Sequence, residues 1–172
     1  WKDMFEATSP AKGKISPYDD AIYIADAAVY LMATKPDLGI KNPYALDQKQ
    51  FDAAIELLKQ QKGLVAEYWG DITKQGTALA SGAVLQSQGW QVTANLANAD
   101  GDKVGTVKPK EGTTGWSDTW MIKKGTKNVN CAYKWLDHIA SAPVNAQIAE
   151  YFGEAPANAK SCDLTVSKTH CA

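Results

Sequence analysis

The chain alternates blocks of helical periodicity with short apolar segments bounded by turn residues. Apolar positions recur at helical spacing from about residues 20, 47, 71, 91, 129 and 143. Asp47 begins one of these helices, with Gln50 placed three residues later as in a capping box. Short strands are predicted around Lys14–Pro17, in 83–88 and near 116–122, with a strand or turn over 64–69. This order predicts an α/β fold with a largely parallel sheet and ligand binding at the strand ends.

Composition excludes several classes of protein. The 172 residues are enough for one ordinary domain, and 45% hydrophobic content is typical of a globular chain. The net charge is −1 and no basic stripe is present, so nothing indicates nucleic-acid binding. All 18 basic residues are lysines. Without arginine, an anionic ligand group would have to be held by lysine, hydroxyl or backbone N–H groups, or by a residue outside this chain.

The three cysteines and the first residues bear on location. Cys162 and Cys171 bracket a polar loop, which favours a disulfide in an oxidising compartment. A zinc site of Cys162, His170 and Cys171 is a weaker alternative because it supplies only three ligands. Cys131 falls within a helical pattern and is predicted to be a small buried residue. The start at Trp1 lacks a basic, apolar leader and resembles the middle of a protein.

Motifs for catalysis are missing from the sequence. Ala80-Ser81-Gly82 lacks the leading glycine of a nucleophile elbow, and no phosphate-binding glycine motif occurs. His138 and His170 are better explained as packed or solvated side chains. Asp19 and Asp20 are neighbours in sequence, which suits helix capping better than paired acid–base work. The sequence therefore predicts neither an enzyme nor a bound cofactor.

Several segments in order resemble the spermidine/putrescine-binding (polyamine and γ-aminobutyrate) branch of the periplasmic ABC-transporter solute-binding proteins. Val107–Gly112 is the most diagnostic of them. The others are Lys12–Ser16 with Tyr18–Asp20, Gly89–Trp90, Gly115–Thr119, Ile122–Gly125, Lys127–Leu136, Ala142–Gly153 and Ala155–Asn158. The resemblance covers nearly the whole chain, so its specificity lies in the series of segments.

The resemblance implies a type II periplasmic-binding-protein-like fold. Residues 1–110 would form the second lobe, and residues 111–172 the crossover strand and helices that pack on the first lobe. That first lobe would be missing from this chain. The implied function is ligand capture by closure of two lobes, without catalysis. The implied partners are a small amine or amino acid and the membrane permease of an ABC importer, with a periplasmic monomer as the binding species.

By the same resemblance, Asp20, Trp90, Trp116 and Asp118 occupy positions that hold the amines of the ligand. An ammonium over a tryptophan face gains roughly 0.5–2 kcal/mol. A carboxylate adds a hydrogen bond worth roughly 1.5–3 kcal/mol. Trp116 and Asp118, two residues apart on a predicted strand, would project from the same face.

Each assignment has a structural alternative. Asp20 would equally serve as a helix cap. Trp90 could belong to the core, although its position after a glycine at a strand end favours the cleft. Trp69, Trp120 and Trp135 are interpreted as packing residues.

Tyr23 departs from the polyamine-binding pattern, in which a second carboxylate occupies its place. A hydroxyl suits a neutral or anionic ligand end, and free N–H groups at the start of the helix would favour an anion. These points favour γ-aminobutyrate, with putrescine as the close alternative. Two other classes stay open: an α/β hydrolase or transferase of similar layout, and an interaction module without a small ligand.

Overall fold

The computed structural model describes residues 1–166 and residue 171. The α-helices are α1 Lys2–Phe5, α2 Tyr23–Thr34, α3 Gln48–Gln61, α4 Ile72–Ala80, α5 Gln91–Ala99, α6 Val129–Ala140 and α7 Ala142–Phe152. The strands are β1 Ile15–Ser16 and β2 Gln86–Ser87, and 3-10 turns cover Pro36–Leu38, Lys62–Leu64 and Ala159–Leu164.

The chain divides into two compact units, Trp1–Gly115 and Trp116–Ala172. The prediction placed a boundary after residue 110. The interpretation of the two parts as a lobe and a crossover with returning helices stays a prediction.

A small parallel sheet lies at the centre of the first unit. β1 pairs in parallel with β2, with Ile15 opposite Gln86. Isolated parallel bridges also join Ile15 to Val65 and Tyr18 to Trp69. Segment 15–18 therefore lies between the two other segments, and all three run in the same direction. The predicted α/β class with a parallel sheet is confirmed in the described residues.

The core of the first unit forms where α2 packs against α3. α2 is apolar on most of its surface, and Leu31 is fully buried. α3 begins with the predicted capping box. The Asp47 carboxylate accepts the backbone N–H of Gln50 at 2.9 Å, and the Gln50 side chain accepts the backbone N–H of Asp47 at 3.1 Å.

One carboxylate is buried in this core. Asp26 in α2 is 1% exposed, and its Oδ1 accepts a hydrogen bond of 2.6 Å from the Thr114 hydroxyl. Burial raises the pKa of Asp26 above its ordinary value, and hydrogen bonds from Thr114 offset part of that rise. Asp26 thus ties α2 to the end of the first unit.

We predict that Asp26→Asn changes how stability depends on pH. Because the pKa of Asp26 is higher in the folded state than in the unfolded state, this side chain stabilises the fold most when protonated. Its contribution falls as pH rises from the ordinary carboxyl range through the raised pKa. Denaturant unfolding across that range should show the variant gaining stability relative to wild type as pH rises. A constant difference between the two proteins would contradict the prediction.

The second unit packs α6 and α7 against the 3-10 turn Ala159–Leu164. The Ser161 hydroxyl donates to the Ala142 carbonyl at 2.9 Å, and the Asn158 amide donates to the Ala140 carbonyl at 2.8 Å. Gly153 ends α7 in a left-handed conformation. Small residues are buried in both elements, Ala146 and Ala149 in α7 and Ser161 in the turn.

The predicted disulfide between Cys162 and Cys171 is confirmed, with Cα atoms 5.8 Å apart. The alternative zinc site included His170, which lies outside the described residues. The described residues contain no cluster suited to a metal ion. The prediction that Cys131 is buried was wrong, because its side chain is exposed. Helical periodicity shows which positions share a face, but only Ile139 of α6 is buried in the described part of the chain.

The predicted strand near 116–122 was also wrong, since this segment has no regular secondary structure. A strand needs a hydrogen-bonded neighbour, and the described residues form no ladder with this segment. The interpretation of Trp120 as a core residue was also wrong, because 65% of this residue is exposed. Its ring meets that of Trp135, also exposed, edge to face at 5.9 Å.

Candidate functional site

Three aromatic rings meet at the carboxyl end of the parallel segments. Tyr18 follows β1, and Trp90 follows β2. Trp69 lies at the end of segment 65–69, which is joined to segment 15–18 by parallel bridges. The ring of Tyr18 stacks on Trp69 with centroids 4.4 Å apart. Trp90 meets both rings edge to face, at 5.2 Å from Tyr18 and 5.3 Å from Trp69. Parallel pairing brings these rings together although they are far apart in sequence.

Trp69 anchors this ring cluster. It is 3% exposed, and its indole N–H donates to the Gln88 carbonyl at 2.6 Å. Its predicted packing role is confirmed. Trp90 is half-buried and lines a groove beside the cluster, so its ring is both packed and accessible.

The backbone before Trp90 is set by a buried glutamine. The Gln75 amide donates to the Ser87 hydroxyl at 2.6 Å and to the Gln88 carbonyl at 2.9 Å, and accepts from the Thr93 hydroxyl at 2.8 Å. A Cβ at Gly89 would lie 2.7 Å from the Gln75 amide nitrogen. Gly89 therefore allows the close approach on which this network depends.

Gly89→Ala is predicted to destabilise the fold by roughly 1–3 kcal/mol, because the added methyl group displaces Gln75 from its partners. Gly63→Ala is the matched control, since a Cβ there meets nothing within 4 Å. Chemical denaturation measures both variants. Equal stability of the two would contradict the role assigned to Gly89.

Two carboxylates follow Tyr18 directly in the chain. Asp19 is held through its backbone N–H, which donates to the Trp69 carbonyl at 2.8 Å, and its side chain is exposed. The Asp20 Oδ1 accepts the Ile22 backbone N–H at 3.0 Å. This bond lies just before α2, whose N-cap position is Ile22 and which has no side-chain cap, so the alternative role of Asp20 as a helix cap is not confirmed. Its second carboxylate oxygen has no hydrogen bond to the described residues.

A cavity of about 280 Å³ opens beside the ring cluster. Both carboxylates line it, together with neutral side chains: Tyr18, Asp19, Asp20, Ala21, Tyr23, Ile24, Leu58, Gln61 and Tyr68. No lysine belongs to this lining among the described residues. The wall is therefore rich in hydrogen-bond acceptors and negative charge, which suits a cationic group with N–H donors.

Tyr23 lines this cavity from a buried position. It is 4% exposed, and its hydroxyl accepts a hydrogen bond of 2.8 Å from the side chain of Gln61. Burial raises the pKa of the Tyr23 hydroxyl. Burial and the nearby charge of Asp19 likewise raise the pKa of Tyr68. Both phenols stay neutral at physiological pH and add no charge that would offset the carboxylates.

The start of α2 does not present the free N–H groups that the sequence suggested. Ile22 N–H donates to the Asp20 side chain, Tyr23 N–H to the Asp20 carbonyl, and Ile24 N–H to the Ala21 carbonyl. These local bonds occupy the donors that would otherwise meet an anion. The expectation of an anion-binding helix start is corrected accordingly.

The predicted ligand residues fall in both units. Asp20 and Tyr23 line one cavity, and Trp90 contacts its wall through Tyr18. Trp116 and Asp118 belong to the second unit, where 48% of Trp116 is exposed and Asp118 is exposed. Burial raises the pKa of Glu154 in that unit, and the charge of Asp118 adds to the rise. The roles of all five residues stay predictions.

Tyr18, Gln61 and Tyr68 were missed as candidates from the sequence. Tyr18 immediately precedes the two aspartates, and Tyr68 immediately precedes Trp69. Their position at the ends of apolar segments was a usable signal, because such ends meet at one edge of a parallel sheet. Gln61 carried no comparable signal.

Comparison with known proteins identifies the class of the chain. Residues 1–170 match the family described as bacterial extracellular solute-binding protein, and the chain belongs to this family. None of the described helices is long and apolar enough to cross a membrane.

Several curated relatives that match this chain are named as polyamine-binding proteins. The chain is 29% identical over 153 residues to the spermidine/putrescine-binding periplasmic protein of Escherichia coli (strain K12), covering 89% of this chain and 41% of that protein. The Salmonella typhimurium protein of the same name is 29% identical over 138 residues, 79% of this chain and 38% of that protein. The putrescine/agmatine-binding protein of Pseudomonas aeruginosa is 24% identical over 126 residues, 70% of this chain and 34% of that protein.

The chain thus spans about two fifths of the length of the E. coli relative. Both the family and the relatives' names support a periplasmic location, as predicted. The family is one of binding proteins, which agrees with the expectation of a function without catalysis.

Proposed function

We propose that this chain is part of the substrate-binding component of an ABC importer and that it captures a small organic amine. The supporting observation is the cavity beside Tyr18, lined by two carboxylates and neutral polar groups. An ammonium donates hydrogen bonds to such acceptors and makes cation–π contacts with the faces of aromatic rings. The family and the names of the matched relatives, which bind polyamines, agree with this chemistry.

Within this proposal, the ligand is putrescine or a similar diamine in preference to γ-aminobutyrate. The cavity lining contains no cationic side chain in the described residues, and the donors at the start of α2 are used locally. A carboxylate would meet Asp19 and Asp20 without a compensating positive charge. The other end of the ligand would be held by Trp116 and Asp118 or by a part of the protein outside this chain.

The proposed mechanism follows the type II solute-binding fold. Ligand binding between two lobes shifts an equilibrium from an open to a closed form, and the closed monomer docks on a membrane permease. This chain would supply the second lobe and the crossover, with a first lobe completing the site. No cofactor takes part in this mechanism.

Equilibrium dialysis of the intact protein that carries this chain against labelled putrescine tests the proposal. The expected result is saturable, one-to-one binding from which putrescine is recovered unchanged. Recovery of a modified product would instead favour a hydrolase or transferase. The absence of saturable uptake of any amine would favour an interaction module.

A further inference from the structure

The hydroxyl of Tyr44 holds both backbone groups of a single residue. It donates to the Gly115 carbonyl at 2.8 Å and accepts from the Gly115 N–H at 2.7 Å. Tyr44 is 54% exposed and Gly115 is exposed, so water could satisfy the same backbone groups. The contact is therefore not needed to compensate buried polar groups, and its effect is to fix the position of one peptide.

The preceding residue is fixed from a second direction. The Thr114 hydroxyl donates to the buried carboxylate of Asp26 at 2.6 Å. Asp26 lies in α2 of the first unit and is itself buried. Two consecutive residues, Thr114 and Gly115, are thus held by two separate side chains, which we call the exit clamp.

The exit clamp lies in a stretch that secondary structure does not organise. Residues 112–123 contain neither a helix nor a strand. Gly115 is also the last residue of the first unit, and Trp116 follows at the next peptide bond. Side-chain hydrogen bonds therefore fix the backbone at Thr114 and Gly115, the two residues before Trp116.

We propose that Tyr44 and Asp26 are positioning residues for ligand binding, acting through Gly115 and Thr114 on the placement of Trp116 and Asp118. This inference rests on the proposed function and adds residues that touch no ligand. Binding groups must be held within about 0.5 Å of their productive positions to keep full affinity. Loss of either contact would leave the predicted ring and carboxylate present but less well placed.

Putrescine titration of the intact protein tests the exit clamp. Tyr44→Phe and Thr114→Val should each weaken binding by about tenfold, the effect of losing roughly 1.4 kcal/mol of interaction. Thr114→Ser keeps the hydroxyl and should restore affinity close to that of wild type. Tyr133→Phe removes a hydroxyl from an exposed tyrosine outside the clamp and should have no effect.

Fluorine NMR of 5-fluorotryptophan at Trp116 gives a readout that does not depend on the ligand. Its resonance should shift or broaden in Tyr44→Phe and in Thr114→Val, and stay unchanged in Thr114→Ser and Tyr133→Phe. Wild-type protein that fails to bind putrescine would refute the proposed function, while the resonance would still test the clamp. The inference would be overturned if the Trp116 resonance does not move in either clamp variant. If wild type binds putrescine, the affinity of both variants would also have to be unchanged.

Discussion

Replacing Asp19 and Asp20 together by asparagine is expected to weaken putrescine binding by about 100-fold. Each carboxylate contributes a charge-assisted hydrogen bond to an ammonium, and the loss of two such bonds at roughly 1.5 kcal/mol each gives this factor. The fold should survive, because the asparagine oxygen at position 20 still accepts the Ile22 N–H. Calorimetric titration measures the affinity, and thermal unfolding confirms the fold.

Asp102→Asn is the matched control for this double variant. Asp102 is an exposed carboxylate in the same unit and does not line the cavity. Its loss changes the net charge by half as much without touching the site. An equal loss of affinity in the control would mean that overall charge, and not the cavity, attracts the amine.

Asp118→Asn and Trp116→Ala are each expected to weaken binding by about tenfold, with little loss of stability. The first removes a charge-assisted hydrogen bond and the second a cation–π contact. Both side chains are exposed in the second unit, so their replacement creates no core cavity. Calorimetric titration with putrescine again measures the effect.

Asp137→Asn, an exposed carboxylate in α6, controls for the charge change in the second unit. Unchanged affinity in both Asp118→Asn and Trp116→Ala would remove these residues from the site. The carboxylates of the first unit would then carry the binding of the amine without them.

Local sequence signals predicted the helices well. The capping box of Asp47 and Gln50 was identified from sequence and is present in the structure. Such signals involve residues within one or two turns of each other, so they need no tertiary information. The disulfide between Cys162 and Cys171 follows the same logic, because it closes a short loop.

Features that depend on a distant partner were harder to predict. The segment 116–122 has the alternation of a strand but no neighbour to pair with among the described residues. Cys131 lies on a helix whose packing in the described part of the chain leaves it exposed. Periodicity indicates a local preference, and only tertiary contacts decide whether it is realised.

The candidate site likewise combines residues that were identified from the sequence with residues that only tertiary contacts bring in. Asp20 and Tyr23 were identified by resemblance and line one cavity. Tyr18 and Tyr68 share that cavity because β1 pairs in parallel with the segment after α3, and Gln61, the last residue of α3, lines it as well. The register of that pairing is a tertiary fact, and the sequence carries no direct record of it.

Separate calorimetric titrations of the intact protein with putrescine and with γ-aminobutyrate test the central claim most directly. The account predicts tight one-to-one binding of putrescine and much weaker binding of γ-aminobutyrate, because the cavity offers carboxylates and, among the described residues, no cationic side chain. Tight binding of γ-aminobutyrate alone would contradict the account. It would mean that Tyr23 and the start of α2 serve a carboxylate end of the ligand.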